Sequence, residues 1–219
     1  MKIAVTGAKG VVGQAFISNA NPSLEIVELD LPDSDVSNLD YLIKSTSGCD
    51  AIVHCAWDGL KDNFTSGSID SVNTVMIFNV YKAAITNGIP KVIMSSSNHA
   101  HNHDLRDSDG KIRPTINPPV PDSPYGAEKV FMEALGRYYA HDHNLQTVCI
   151  RIGNINKNDL PNNDKPRRWM SHRDFAQLVT LCIEKQVPDN FQIVYGVSKQ
   201  ETFDWSNPFG YKPLDGGVA

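Results

Sequence analysis

Cysteine is scarce. The 219 residues hold only four, Cys49, Cys55, Cys149 and Cys182, and no C-x-x-C spacing occurs. That excludes a disulfide framework and a cysteine-based zinc site, and it suits reduced, buried thiols in a cytoplasmic protein. A basic excess is also missing. Twenty Lys and Arg face 25 Asp and Glu, for a formal net charge of −5, so the chain has no electrostatic footprint for nucleic acid. No run of eighteen apolar residues is present, so no bilayer span is expected. Met1–Gly7 lacks a signal-peptide pattern and reads as a strand entering a glycine turn. No internal repeat or low-complexity tract stands out. The remaining composition, 41% hydrophobic and 21% charged, is that of one large α/β domain needing neither metal nor disulfide to fold.

Apolar runs alternate with helical stretches, the pattern of stacked βαβ units on a parallel sheet. Strands are expected at 2–6, 24–29, 51–56, 91–96, 147–152 and 191–197. Helices are expected at 13–21, 39–45, 69–87, 125–143 and 171–185, the last with Ser171 as N-cap. The helix at 69–87 carries Val72, Val75, Met76, Val80, Ala83 and Ala84 at helical spacing. Asp30 and Asp35 are too close for a crossover helix between them, so the usual third strand on that side is expected to be absent or a stub. The fold class is therefore α/β: a Rossmann-like, doubly wound, mostly parallel sheet with helices on both faces. A single domain spans 1–219, with a small capping region and substrate-lining segments around 98–124 and 154–190.

The run Thr6-Gly7-Ala8-Lys9-Gly10-Val11-Val12-Gly13 follows a strand and opens a helix. Gly7 permits the tight turn, Gly10 lets the backbone approach a pyrophosphate, and Gly13 lets the helix pack closely. The helix N-terminus at Val11 and Val12 presents N–H groups to the phosphates. Asp30 ends the second strand, where a carboxylate accepts hydrogen bonds from an adenine ribose and repels a 2′-phosphate. NAD is thus favoured over NADP, although Lys9 is a cation that could meet an extra phosphate, and Asp30 is also readable as a solvated turn acid. Asp35 and Val36 could hold the adenine, or belong to a helix-capping stretch.

Tyr125 and Lys129 form Y-x-x-x-K near the start of a long helix, on one face. A lysine ammonium beside a phenol lowers its pKa, which would let Tyr125 act as general base, with Lys129 also holding the nicotinamide ribose. Ser95-Ser96-Ser97-Asn98-His99 ends a buried strand, on the side where open α/β sheets bind ligands. Ser97 is placed there to bond the reacting oxygen. His99, His101 and His103 alternate before Asp104 and could suggest a metal, but no Cys or Glu completes a ligand set nearby and hydride chemistry needs none. Trp57, Trp169 and Trp205 read as core or pocket walls, Trp57 directly after the cofactor strand.

Together these residues resemble the extended short-chain dehydrogenases/reductases of the NAD-dependent epimerase/dehydratase type, over nearly the whole chain. TGAKGVVG, IVHCAW, VNTVMIFNVYKAA, KVIMSSSN and SPYGAEKVFMEAL carry the likeness. SSSNHAH, RIGN, WMSHRDFAQLV, YGVS and FGYKP bring it closest to uronate dehydrogenases and the archaeal hexose-phosphate dehydrogenases. The resemblance implies a catalytic set of Ser97, Tyr125 and Lys129. It implies cofactor contacts at Cys55 and Ala56, with Asn73 supporting the site. Substrate contacts would fall at Asn98, His99, Asn154 and Ser171, with His172 ending the substrate-side loop. A homodimer built on the two long helices is also implied. One departure stands out: Asp164 occupies the place of an arginine that grips a carboxylate in uronate dehydrogenases. Arg167 and Arg168, closer to Ser171, could bind a carboxylate or a phosphate instead, or be solvated.

The expected activity is NAD-dependent oxidation of the anomeric carbon of a sugar acid or sugar phosphate to a lactone. A nucleotide-sugar epimerase or dehydratase is the first alternative, disfavoured by the short stretch after Ile152. A non-catalytic NAD(P)-binding sensor is the second, disfavoured by the retained tyrosine and lysine.

Overall fold

The computed structural model describes residues 1–59, 67–101, 119–161, 168–198 and 207–215. Six parallel strands form one sheet: β1 (Lys2–Thr6), β2 (Glu25–Leu29), β3 (Ala51–His54), β4 (Lys91–Ser97), β5 (Gln146–Ile152) and β6 (Phe191–Gly196). Their order is β2-β1-β3-β4-β5-β6. Among the described residues, five α-helices connect them: α1 (Val11–Ile17), α2 (Leu39–Ser45), α3 (Ser71–Asn87), α4 (Pro124–His143) and α5 (His172–Glu184). The central strands are buried on both faces along their whole length, with apolar runs at Ala51–Val53 and Val92–Met94, as a covered parallel sheet requires. Alternate residues serve opposite cores. Ile3 and Val5 of β1 pack with Phe16, Phe175 and Leu178 on the α1/α5 face. Ala4 packs with Leu42, Ile77, Val80 and Met132 on the α2/α3/α4 face.

The missing third strand is as expected. After β2 the chain turns, with Ser34 N–H bonding Asp30 C=O at 2.8 Å, and β2 is left at the sheet edge. Chain order reverses beside β1, whose Thr6 pairs with Leu29 on one side and His54 on the other. A crevice opens at such a point.

Several element boundaries differ from the sequence expectation, those of α1 and β3 among them. α1 begins at Val11, not Gly13, because Gly10 is already the N-cap in extended conformation. It ends at Ile17, where Ser18 and Asn19 take the closing turn. β3 stops at His54, after which Cys55 makes one more backbone bond to Thr6 and the chain leaves the sheet. α5 has the expected cap: Ser171 Oγ accepts from Asp174 N–H at 3.0 Å. Among the described residues, no helix is long and apolar enough to cross a membrane.

A buried ion pair joins α4 to the sheet. Arg151 on β5 is 1% exposed and Glu133 on α4 is 3% exposed. The guanidinium donates from Nε at 2.8 Å and Nη2 at 2.7 Å to the two carboxylate oxygens. Ser96 on β4 donates to the same carboxylate at 2.7 Å. Glu133→Ala leaves a buried cation without its main partner, so we expect a loss of about 3–5 kcal/mol in urea unfolding. The double change Glu133→Leu/Arg151→Met should recover much of that loss. A single variant as stable as wild type would show that the pair does not hold α4.

Candidate active site

The C-terminal ends of β1, β3, β4 and β5 meet at a cavity of about 450 Å³. Its lining includes Val12, Cys55, Trp57, Ser95–Asn98, His99, Tyr125, Lys129 and the segment Ile152–Ile155. The strands supply the floor and the first turns of α1 and α4 the rims.

On the α1 rim the three glycines act differently. Gly7 has φ +65°, and a side-chain carbon there would lie 2.5 Å from Ala56 N. Such a carbon at Gly13 would collide with the Gly7 carbonyl. Both are glycine because the loop folds on itself. At Gly10 the nearest atom would be Gly7 O, at 3.3 Å, so the protein's own packing demands glycine least there. Asp30 braces the loop, accepting from Lys9 N–H at 2.6 Å and from Leu31 N–H at 2.8 Å. The Lys9 ammonium turns outward, to the Leu31 carbonyl and, 3.6 Å away, to Asp33.

On the α4 rim, Ser123 caps the helix by accepting from Gly126 N–H, and Pro124 takes the first turn. Tyr125 and Lys129 follow. Ser97 favours the ionised Tyr125 phenol, yet burial outweighs that influence and holds the phenol's pKa above the ordinary tyrosine value. Lys129 is fully enclosed. Its ammonium donates to the Ser95 carbonyl at 2.9 Å and lies 3.6 Å from the centre of the Trp57 ring. The centre of the Tyr125 ring is further away, at 5.5 Å. Desolvation pulls the Lys129 pKa down to about 7. The expectation that Lys129 lowers the Tyr125 pKa is therefore corrected: the ammonium is turned to Trp57 and Ser95, and desolvation governs both groups.

Ser97, which ends β4, accepts from His99 N–H at 3.2 Å and donates to Asn98 Oδ1 at 3.3 Å. Asn98 is buried, and its Nδ2 has no partner among the described residues. The His99 ring bonds through Nδ1 to both oxygens of Asp122, at 2.9 and 3.0 Å. Sequence reading missed Asp122, whose signal was its place just before the Ser123 cap. Asn154 sits in the far wall, held by the backbone of residues 168–170: its N–H bonds the Arg168 carbonyl, and Met170 N–H bonds its own carbonyl.

Five expected contacts lie elsewhere. Ser171 is 1% exposed, donates to Asp215 at 2.6 Å and caps α5, outside the lining. Asn73 directs its amide to the Asp58 backbone, accepting from Asp58 N–H at 2.7 Å. It braces the segment after β3 and does not face the cavity. Val36 is buried in the core with Leu42 and Ile77, so its side chain is no adenine wall. Asp35 accepts from Ser37 N–H at 2.9 Å and Ser37 Oγ at 2.7 Å, the capping alternative. Arg168 is buried and also outside the lining. Arg167, His103, Asp104, Asp164 and Trp205 fall outside the described residues.

The NAD dependent epimerase/dehydratase family matches residues 3–156, and the chain belongs to that family. It is 30% identical to an L-arabinose 1-dehydrogenase (NAD(P)(+)) of Haloferax volcanii, over all of this chain and 98% of the relative. It is 29% identical to a uronate dehydrogenase of Agrobacterium fabrum, over all of this chain and 86% of that enzyme. A uronate dehydrogenase from Agrobacterium tumefaciens, solved in complex with NAD, superposes with a TM-score of 0.77 at 26% identity. That match covers 99% of this chain and 85% of the other.

The low Lys129 pKa has a consequence for stability. Between about pH 7 and the ordinary lysine value of 10.5, the unfolded chain holds a proton that the folded protein has released. Stability therefore rises with pH across that window. Wild type should gain in Tm relative to Lys129→Met as the pH is raised from 7 to 9. Parallel Tm curves would show that Lys129 keeps an ordinary pKa.

Proposed function

We propose that the protein is an NAD-dependent oxidoreductase acting on the anomeric carbon of a sugar or sugar acid. The observation that carries this reading is the convergence of Ser97, Tyr125 and Lys129 on one cavity at the switch point of the sheet. The dehydrogenase names of the full-length relatives support it.

The residues fit a dinucleotide. The Gly7–Gly13 loop is folded so tightly that its backbone is the binding surface. Gly10 leaves room where a pyrophosphate would approach. Asp30 keeps a carboxylate at the end of β2 for the adenine ribose, and Val12, Cys55 and Lys129 line the path inward. Bound NAD supplies the acceptor for the C1 hydride. Tyr125 takes the proton of the C1 hydroxyl, and Ser97, on the same cavity, holds that oxygen. Lys129 offers its remaining N–H donors to the cofactor ribose. Asn98 Nδ2 is a buried donor awaiting an acceptor, as a sugar hydroxyl provides. His99, fixed by Asp122, and Asn154 flank the same space. The lactone forms as the hydroxyl proton and the C1 hydride leave, which balances the reaction. A placed base contributes about 10²–10⁴-fold.

Tyr125→Phe should lower kcat by at least about 100-fold while the NAD Kd, read by calorimetry, changes less than threefold. NADH formation should be tested with L-arabinose, hexuronates and hexose 6-phosphates. No NADH from any of them, with NAD still bound, would turn the reading toward a non-catalytic NAD-binding protein.

The outer faces of the long helices support a homodimer. Val72, Val75 and Phe78 on α3 and Phe131 and Tyr138 on α4 are large apolar side chains exposed to solvent, and such patches mark interaction surfaces. Phe78→Asp/Phe131→Asp should convert the protein to monomer in sedimentation. A wild type that already sediments as a monomer would exclude the dimer.

A further inference from the structure

Trp57 has no assigned part in the reading above, yet it touches both members of the Y-x-x-x-K pair. It lies three residues beyond β3, in a stretch that Asn73 pins through the Asp58 backbone in both directions: Asp58 N–H donates to Asn73 Oδ1 at 2.7 Å, and Asn73 Nδ2 donates back at 3.4 Å. The indole is thus carried on a braced segment. Its face receives the Lys129 ammonium at 3.6 Å from the ring centre. Its ring also meets the Tyr125 ring at right angles, with centroids 5.2 Å apart and an interplanar angle of 86°. His99 packs on Tyr125 as well, at 5.7 Å and 70°, so the phenol ring is contacted by two rings. Trp57 lines the cavity.

A buried ammonium needs compensation. Among the groups close enough to act on Lys129, Cys55, Glu128, Glu133 and Cys149 favour the charged form. Glu133, however, is already bound to Arg151 and Ser96, Glu128 accepts from the Asp70 N–H at 3.2 Å, and the two thiols are held protonated by burial. His54 is neutral at ordinary pH. Tyr125 is uncharged until its own proton leaves. Among the described residues, what touches the ammonium directly is one carbonyl and one aromatic face. Cation–π attraction is largest where the cation is desolvated, and that is the situation here.

We propose that Trp57 is a positioning residue of this active site: its indole face holds the Lys129 ammonium in place and charged, and its contact with the Tyr125 ring fixes the phenol beside Ser97. This rests on the dehydrogenase reading for its effect on rate, though not for its effect on Lys129 itself. Trp57→Phe keeps an aromatic face, and Trp57→Leu removes it at nearly the same volume. The comparison between these two variants isolates the face from the packing.

The test is a titration of Lys129 by NMR, in protein with carbon-13 lysine labelled at Cε and Lys129→Met as the assignment control. Lys129 should titrate about half to one pH unit lower in Trp57→Leu than in Trp57→Phe. At pH 7 the Leu variant should then turn over about two- to fivefold more slowly than the Phe variant, and the gap should narrow as the pH is lowered to 6. Equal titration in the two variants overturns the proposal, whatever the activities. If Lys129 titrates as expected but no sugar yields NADH, the positioning role stands and the dehydrogenase reading fails. A Leu variant with lower Tm and unshifted Lys129 titration would make Trp57 a packing residue only.

Discussion

The seating of α4 on the sheet is the constraint from which the site follows. One stripe of that helix faces inward, and its members are small or charged where an ordinary core helix would be apolar. Gly126 lets the first turn press against the His99 carbonyl, a place no side-chain carbon could occupy. Lys129, one turn on, reaches the Ser95 carbonyl. Glu133, a further turn on, takes Ser96 and Arg151. Gly136 lets the helix close over Tyr81 and Thr147, where a methyl group would lie 2.5 Å from the Tyr81 hydroxyl. Three of these four contacts fall on the segment from Ser95 to His99. The helix is keyed to the strand end that carries Ser97, so the distance between Ser97 and Tyr125 is set by backbone packing rather than by loop conformation. A site that depends on close geometry is best carried on rigid elements.

Much of this was legible in the sequence, for reasons that can be located. The strand runs of β1, β3 and β5 are apolar without alternation because both faces are covered, and that signal survives without knowledge of the partners. The glycine loop reads from spacing because its demands are local: a turn at Gly7 and a packing contact at Gly13. The absent third strand followed from counting residues after Asp30. Other features depended on partners far along the chain. The Y-x-x-x-K spacing placed Tyr125 and Lys129 on one face but could not show that the ammonium would turn to Trp57, which arrives from the end of β3. Ser171 and Asn73 read as ligand contacts by position, whereas the fold gives each a backbone partner nearer than the cavity. Asp122 gave no motif at all, because its meaning lies in the His99 ring it meets.

Two buried charges near the site are handled in opposite ways. Arg151 and Glu133 face each other with two hydrogen bonds and a third from Ser96, so both can remain ionised in a medium that penalises lone charges. Among the described residues, no carboxylate forms an ion pair with Lys129, whose ammonium donates to a carbonyl instead. Desolvation dominates there, and its proton is held weakly enough to leave near neutral pH. The first arrangement gives a fixed charge that anchors structure. The second gives a group whose charge responds to small changes in surroundings, which is the property wanted of a residue beside a reacting phenol. The ion pair that fixes α4 is thus one turn away from the titrating lysine that α4 presents.

The wall opposite Tyr125 is built on a different principle. Asn154 is held by main-chain bonds to residues 168–170, and Trp169 pairs with it in a single bridge. That segment is held in turn by Ser198, whose N–H bonds the Trp169 carbonyl at 2.8 Å and whose hydroxyl donates to Asp174 at 2.6 Å. Asp174 also accepts from Leu214 N–H at 2.7 Å and Asp215 N–H at 3.2 Å. Ser171 and Arg173 complete the knot through the Asp215 carboxylate. The position of a single cavity residue is therefore fixed through the start of α5 by residues near 198 and 214. Because the bonds run mostly through backbone and capping groups, the side chains on the cavity side of this wall take little part in holding it. The α4 rim and the Asn154 wall thus rest on separate supports: the first on contacts to the end of β4, the second on backbone bonds to the segment before α5.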